Sequence, residues 1–181
     1  IDNDLLVINK PFNLAVQGGT GIKRNLDDLL VSAFSDKKIT PRLVHRLDKE
    51  TSGVMLIALN RKMASHLSNL FKTKNVQKTY WAITEGEPEK TTGEININIT
   101  DDEKNQRQKS LTKYNKVLKI NDNISWIAFR PITGRTHQIR KHASMSNFPI
   151  VGDKKYGNKN NKIIKFNKLH LHSHSVDFKG L

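Results

Sequence analysis

The spacing of apolar positions changes several times along the chain, and each change marks an element. "DLLVINK" at 4–10 is an apolar run stopped by Pro11, which predicts a short buried strand. After a loop ending in "GGTG", Leu26, Leu29, Leu30 and Ala33 recur at helical spacing behind Asn25, a suitable N-cap. "RLVHRL" reads as a strand up to Leu47 and "GVMLIAL", 53–59, as a second buried one, so the polar turn between them projects from a sheet edge or end. Met63, Leu67, Leu70 and Phe71 then predict an amphipathic helix from Asn60 to about Lys74.

The period returns to two in "VQKTYWAITEG", which sets Lys78, Tyr80 and Ala82 on one strand face and Thr79, Trp81 and Ile83 on the other. "EININI", 94–99, predicts one more strand with a solvated face. "TDDEKNQRQKS", 100–110, has almost no apolar residue and reads as a mobile loop. "SLTKYNKVLKI" and "ISWIAFRP" suggest a hairpin around "NDN" at 121–123. A short helix in "RTHQIRKHASM" follows, then a loop, "FPIVGDKKYG", turning at Gly152 and Gly157, and a final alternating strand in "LHLHSHSVDF". Strands at hairpin spacing with helices interspersed define an α+β class, a mixed and mostly antiparallel sheet with flanking helices.

Composition narrows the class of partner. The chain has 181 residues and 36% hydrophobic content, enough for one domain over 1–181. Opening on Ile1 and stopping after a strand-like run, it reads as cut from something longer. Lysine and arginine number 31 against 17 acids, a net +14, and Lys104 to Lys168 holds sixteen of these cations against Asp122 and Asp153. A polyanion is the natural partner; the bland alternative is a solvated lysine-rich surface. Without cysteine there are no disulfides, cysteine zinc sites or thiol nucleophiles. No apolar run approaches a membrane span and no secretory signal opens the chain, so the expectation is a cytoplasmic protein with no membrane partner.

Candidate chemistry begins in "HRLDKETSG". If this segment is extended, Arg46 and Asp48 share a face, and the carboxylate could serve as nucleophile or base while the guanidinium holds phosphate or enters a base stack. An ion pair that merely fixes a turn fits the same spacing. Thr51 to Gly53 offer hydroxyl and N–H groups to grip the carboxylate. In "PITGRTHQIRKHA", Ile139 and Ala143 would face the core, and a buried Arg140 would need a carboxylate, for which Asp48 is a candidate. A basic helix lying on phosphate is the alternative. Tyr80 could stack on a base or assist a proton transfer, although a strand tyrosine is often core with a wet tip. His170, His172 and His174 alternate on one strand without a carboxylate or cysteine beside them, which argues against a metal site. "GGTG" lacks the lysine of a phosphate-binding loop and is read as a turn.

Together these segments resemble the RluA family of pseudouridine synthases. The matching stretches run in family order: "DNDLLVINKP", "HRLDKETSGVMLIA", "KTYWAI", "PITGRTHQIRKH", "PIVGDKKYG" and "LHLHSHSVDF". "AVQGGTG", Ala15 to Gly21, is closest to the RluC branch, which modifies large-subunit ribosomal RNA. The resemblance implies the pseudouridine synthase fold with a central RNA-binding cleft, and isomerisation of specific uridines without cofactor or metal. It implies Asp48 as catalytic aspartate, Tyr80 as active-site tyrosine, Arg140 as the base paired with the aspartate, and Arg46 as the residue filling the place of a flipped base. Ile139 would line the pocket, and Arg135, His137 and Lys141 would join Arg46 and Ile139 against RNA. A monomer is the expected state.

Two departures stand out. Asn13 replaces a usual glycine, and asparagine tolerates positive φ better than other residues. Lys179 and Gly180 follow "VDF" where relatives read His-Pro. The S4 RNA-binding domain of many relatives does not occur in this sequence. Two other classes remain open: a non-catalytic RNA-binding module, which gives no reason for an aspartate amid positive charge, and a histidine-metal hydrolase acting on RNA.

Overall fold

Residues 3–101, 105–158 and 166–178 are described by a computed structural model, whose internal contacts divide it into two units. One holds Ile1–Gln77 with Ser175–Leu181, the other Lys78–His174.

In the first unit, β1 (Leu5–Lys10), α1 (Leu26–Ala33), β2 (Arg42–Leu43), β3 (Ser52–Ala58) and α2 (Arg61–Lys72) follow in order. β1 pairs antiparallel with β3, from Leu5 opposite Ala58 to Lys10 opposite Gly53. Both helices start where the sequence says: Asn25 accepts the N–H of Asp28 at 3.0 Å and Asn60 that of Met63 at 2.8 Å. Leu56, Ala58, Leu67 and Leu70 form the core, with Leu5, Met63, Phe71 and Val76 packed against it. Leu67 is fully buried, so Leu67→Ala should cost about 2–5 kcal/mol.

The expected strand over "RLVHRL" is cut to β2, because His45 supplies a side chain where backbone would have continued. Its Nε2 accepts the Leu56 N–H at 2.9 Å while the ring stacks on Phe71 at 4.7 Å. Arg46 and Asp48 therefore lie on a loop, and the shared strand face expected of them does not form. Asn13 adopts φ 64°, as its replacement of glycine required.

In the second unit, β4 (Val76–Glu85, entering from Lys78), β5 (Thr92–Ile95), β6 (Ile99–Asp101), β7 (Gln106–Gln108), β8 (Thr112–Asn121), β9 (Ile124–Pro131) and α3 (Gln138–Met145) follow, then β10 (Leu171–Phe178) as far as His174. Four strands lie in the order β4-β9-β8-β5, and the β8–β9 hairpin turns as expected. Ile127, Phe129, Ala143, Phe148, Ile150 and Val151 are buried.

"EININI" forms two strands instead of one. β5 pairs with β8 and β6 with β7, and between them the Ile97 carbonyl is claimed by the buried Ser110 hydroxyl and by His142 Nε2 at 2.9 Å. The segment expected to be a loop supplies β6's end and β7, clipped by Gln108 Nε2 donating to Asp101 at 2.9 Å; 102–104 lie outside the described residues, as do Lys179 and Gly180. Strand pairs within these units are antiparallel and the class is α+β. Among the described residues no helix is long and apolar enough to cross a membrane.

Candidate active site

The turn carrying Asp48 is built from beneath. Lys10 ends β1 as a fully buried residue, and its ammonium donates to the carbonyls of Pro11 at 2.9 Å, Leu14 at 2.8 Å and Lys49 at 3.2 Å. Those bonds fasten the loop after β1 to the loop before β3. Opposite Lys10 in the ladder, Gly53 adopts φ 115°, open to glycine and closed to most side chains. Burial lowers the Lys10 pKa to about 8, while the charge of the nearby Asp48 works to raise it. The Asp48 side is half-buried, Leu47 is buried and Arg46 is exposed.

Thr51 does not hold the aspartate as expected. Its N–H donates to the Asp48 main-chain carbonyl at 3.0 Å, and its buried hydroxyl has no hydrogen-bond partner. The bonded main chain fixes the turn without that side chain.

In the second unit, Tyr80 is half-buried on β4 opposite Phe129 of β9. Trp81, pointing the other way, stacks on His174 at 3.5 Å and meets Trp126 edge-on at 4.8 Å. Arg140, 3% exposed, receives a carboxylate from Asp153: Nε and Nη2 each donate to one oxygen at 2.7 Å. This bidentate pair is reinforced by the N–H groups of Lys155 and Tyr156, both donating to Asp153 Oδ1 at 3.0 Å. Burial alone would raise the Asp153 pKa; Arg140 and those N–H groups more than offset it and hold the carboxyl below its usual range.

The loop that delivers Asp153 is positioned by β4. Glu85 N–H donates to Pro149 and Val151 N–H to Ile83, at 2.8 and 2.9 Å. Gly152 then turns at φ 75°, where a Cβ would stand 1.9 Å from the Lys168 carbonyl oxygen, so only glycine fits.

The helix α3 is turned inward. Gln138 to Ala143 are all buried, which excludes the alternative of a solvated basic helix laid on phosphate. Thr133 Oγ1 donates to Gln138 Oε1 at 2.6 Å, and Gln138 Nε2 donates to Leu111 and Thr112, tying the "TGRTHQ" turn to the start of β8. Lys141 donates to the Thr100 carbonyl at 2.7 Å, and Ile139 is 6% exposed. His137 holds φ 53° and its Nδ1 pairs with the Tyr156 hydroxyl at 2.9 Å. Arg135 is exposed, its Nε reaching the Lys109 carbonyl at 3.3 Å. His142, fully buried among Ser110, Thr112 and Ile97, has its pKa lowered by desolvation against the pull of the Ile97 carbonyl. Among the described residues no three histidine, cysteine or acidic side chains converge as metal ligands.

Sequence reasoning passed over Lys10, Asp153 and His142. Asp153 carried a usable signal: it is one of two acids among sixteen cations between 104 and 168. Lys10 carried another, as a charge closing a buried strand.

Residues 4–145 match the family model for RNA pseudouridylate synthases, and the chain belongs to that family. It is 41% identical over 186 residues to ribosomal large subunit pseudouridine synthase C of Rickettsia conorii, covering 97% of this chain and 60% of that protein. It is 39% identical over 194 residues to an RNA pseudouridine synthase of Zymomonas mobilis, covering all of this chain and 86% of the relative. Among solved structures, human RNA pseudouridylate synthase domain containing 4 superposes with a TM-score of 0.80 at 32% identity, covering 97% of this chain and 81% of that one. The chain thus spans about three fifths of the length of the Rickettsia relative.

Proposed function

We propose that residues 1–181 are the catalytic domain of a pseudouridine synthase that isomerises specific uridines of large-subunit ribosomal RNA, working as a cytoplasmic monomer. The observation that carries this reading is the half-buried Asp48 beside the buried Lys10 ammonium, in a chain of net charge +14. A carboxylate repels phosphate, so a reactive role accounts for Asp48 in so basic a chain where RNA binding alone does not. The names of the Rickettsia relatives support the ribosomal substrate.

The reaction breaks the N1–C1′ bond, turns the uracil and joins C5 to C1′; N1 gains a proton and C5 loses one. Nothing is oxidised or hydrolysed, so no cofactor is required. Extracting the uridine from its stack costs a few kcal/mol, less in a loop. Arg46, exposed on the Asp48 turn, offsets this cost by filling the vacancy. Asp48 then attacks C1′ or removes a ribose proton to give a glycal. Tyr80 stacks on the uracil, and Arg140, braced by Asp153, takes the part of the basic residue that the family resemblance assigns to it. Ile139 lines the pocket, and the exposed Arg135 contributes to RNA binding with His137, whereas Lys141, expected to join them, is buried and donates to the Thr100 carbonyl.

The test is tritium release from large-subunit ribosomal RNA transcribed with uridine labelled at C5. Stoichiometric release with unchanged RNA mass is the expected result. RNA bound at nanomolar concentration with no release from any transcript would instead support a non-catalytic binding module.

A further inference from the structure

Lys78 is the one feature of β4 that neither the fold nor the proposed chemistry explains. It is half-buried, and among the described residues its ammonium makes no hydrogen bond or ion pair. Burial lowers its pKa, with no neighbouring charge opposing the shift. The lysines and the arginine that are buried, rather than half-buried, among the described residues are answered: Lys10 by three carbonyls, Lys141 by one and Arg140 by a carboxylate. An unanswered, partly desolvated ammonium costs stability in the free protein, and such local costs concentrate where a ligand later repays them.

Its position says what that ligand is. Lys78 and Tyr80 are two apart on one strand, so their side chains leave the same face roughly 7 Å apart. The ammonium also lies against the turn before α3, since a Cβ placed on Gly134 would stand 3.8 Å from Nζ. Gly134 has no side chain to cover it, and the exposed Arg135 is the next residue. An ammonium that no carbonyl or carboxylate here meets is suited to an anion, and RNA presents one at each nucleotide.

We propose that Lys78, with Arg135 beside the Gly134 turn, is the binding site for a single RNA phosphodiester next to the base that Tyr80 receives. The proposal rests on the reading of Tyr80 given above for its register, and on Lys78 alone for its charge. Because the ammonium is unsupported without RNA, the free protein should become more stable when Lys78 is made apolar, while RNA binding weakens. A lysine that braces the fold would behave in the opposite way.

The experiment compares wild type, Lys78→Met and Lys78→Arg for Tm and for equilibrium binding of the ribosomal RNA transcript between 50 and 300 mM salt. For Lys78→Met we expect an equal or higher Tm, about tenfold weaker binding near 0.1 M salt, and a log–log salt slope shallower by about 0.7–0.9. Lys78→Arg should keep both binding and slope. A lower Tm, an unchanged slope, or lost release at saturating RNA with unchanged binding would each overturn the phosphate site. The outcomes separate from those of the enzymatic reading: inactive wild type with a shallower Lys78→Met slope would sink the activity and leave the phosphate site standing.

Discussion

Asp153 and Asp48 each stand beside a cation, and the cations treat them differently. Arg140 spends two of its N–H groups on the two oxygens of Asp153, and neighbouring backbone adds more, so that carboxylate is saturated. Lys10 gives its three hydrogen bonds to carbonyls and reaches Asp48 through charge alone. A bidentate, backbone-reinforced pair fixes a carboxylate in one geometry, whereas a charge acting without its own hydrogen bond favours the anion and leaves its geometry to other groups. Asp153 shows the first relation to its cation, and Lys10 has the second to Asp48.

Replacing one partner of the saturated pair breaks the comparison most severely. Asp153→Asn leaves a guanidinium buried without its counter-charge and should cost about 3–5 kcal/mol in urea unfolding, more than Asp48→Asn. Equal costs would show that the two carboxylates are held alike.

Lys10→Met comes next, at roughly 3 kcal/mol, because three carbonyls lose their donor. It should also change the pH dependence. Lys10 has a folded pKa of about 8 against 10.5 unfolded, so between these values the unfolded chain binds more protons and stability rises with pH. That alkaline rise should be present in wild type and missing in Lys10→Met. An identical pH profile for both would mean that Lys10 does not carry the burden its burial implies.

The smallest effect tests the packing behind Arg140. Burial lowers the His142 pKa against the pull of the Ile97 carbonyl, so on acidification the unfolded chain takes up a proton more readily than the folded one. Stability should fall as pH drops from 7 to 5.5, and His142→Gln should flatten that fall in thermal melts. A slope unchanged by the substitution would place the titration elsewhere.

Most elements could be read from hydrophobic period because most are held by local rules. Asn25 and Asn60 cap their helices, the apolar run "LLVINK" becomes a strand, and the β8–β9 hairpin closes where its turn residues stand. What could not be read was set by distant side chains. His45 replaces a strand by bonding Leu56, eleven residues on, and His142 captures the Ile97 carbonyl across forty-five residues, splitting "EININI". The same holds for the sites. The roles proposed for Asp48, Tyr80 and Arg140 rest on their motifs, whereas the carboxylate that Arg140 meets and the ammonium beside Asp48 stand out in their own segments only as unusual charges, without the partner each one meets.

The central claim is that the Asp48 carboxylate reacts. Asp48→Asn keeps the side-chain volume and removes the nucleophile, so single-turnover tritium release from C5-labelled ribosomal RNA measures it directly. Release at least about 10³-fold slower than wild type, with RNA affinity within a few-fold, is the expected result. Release at the wild-type rate would contradict the account.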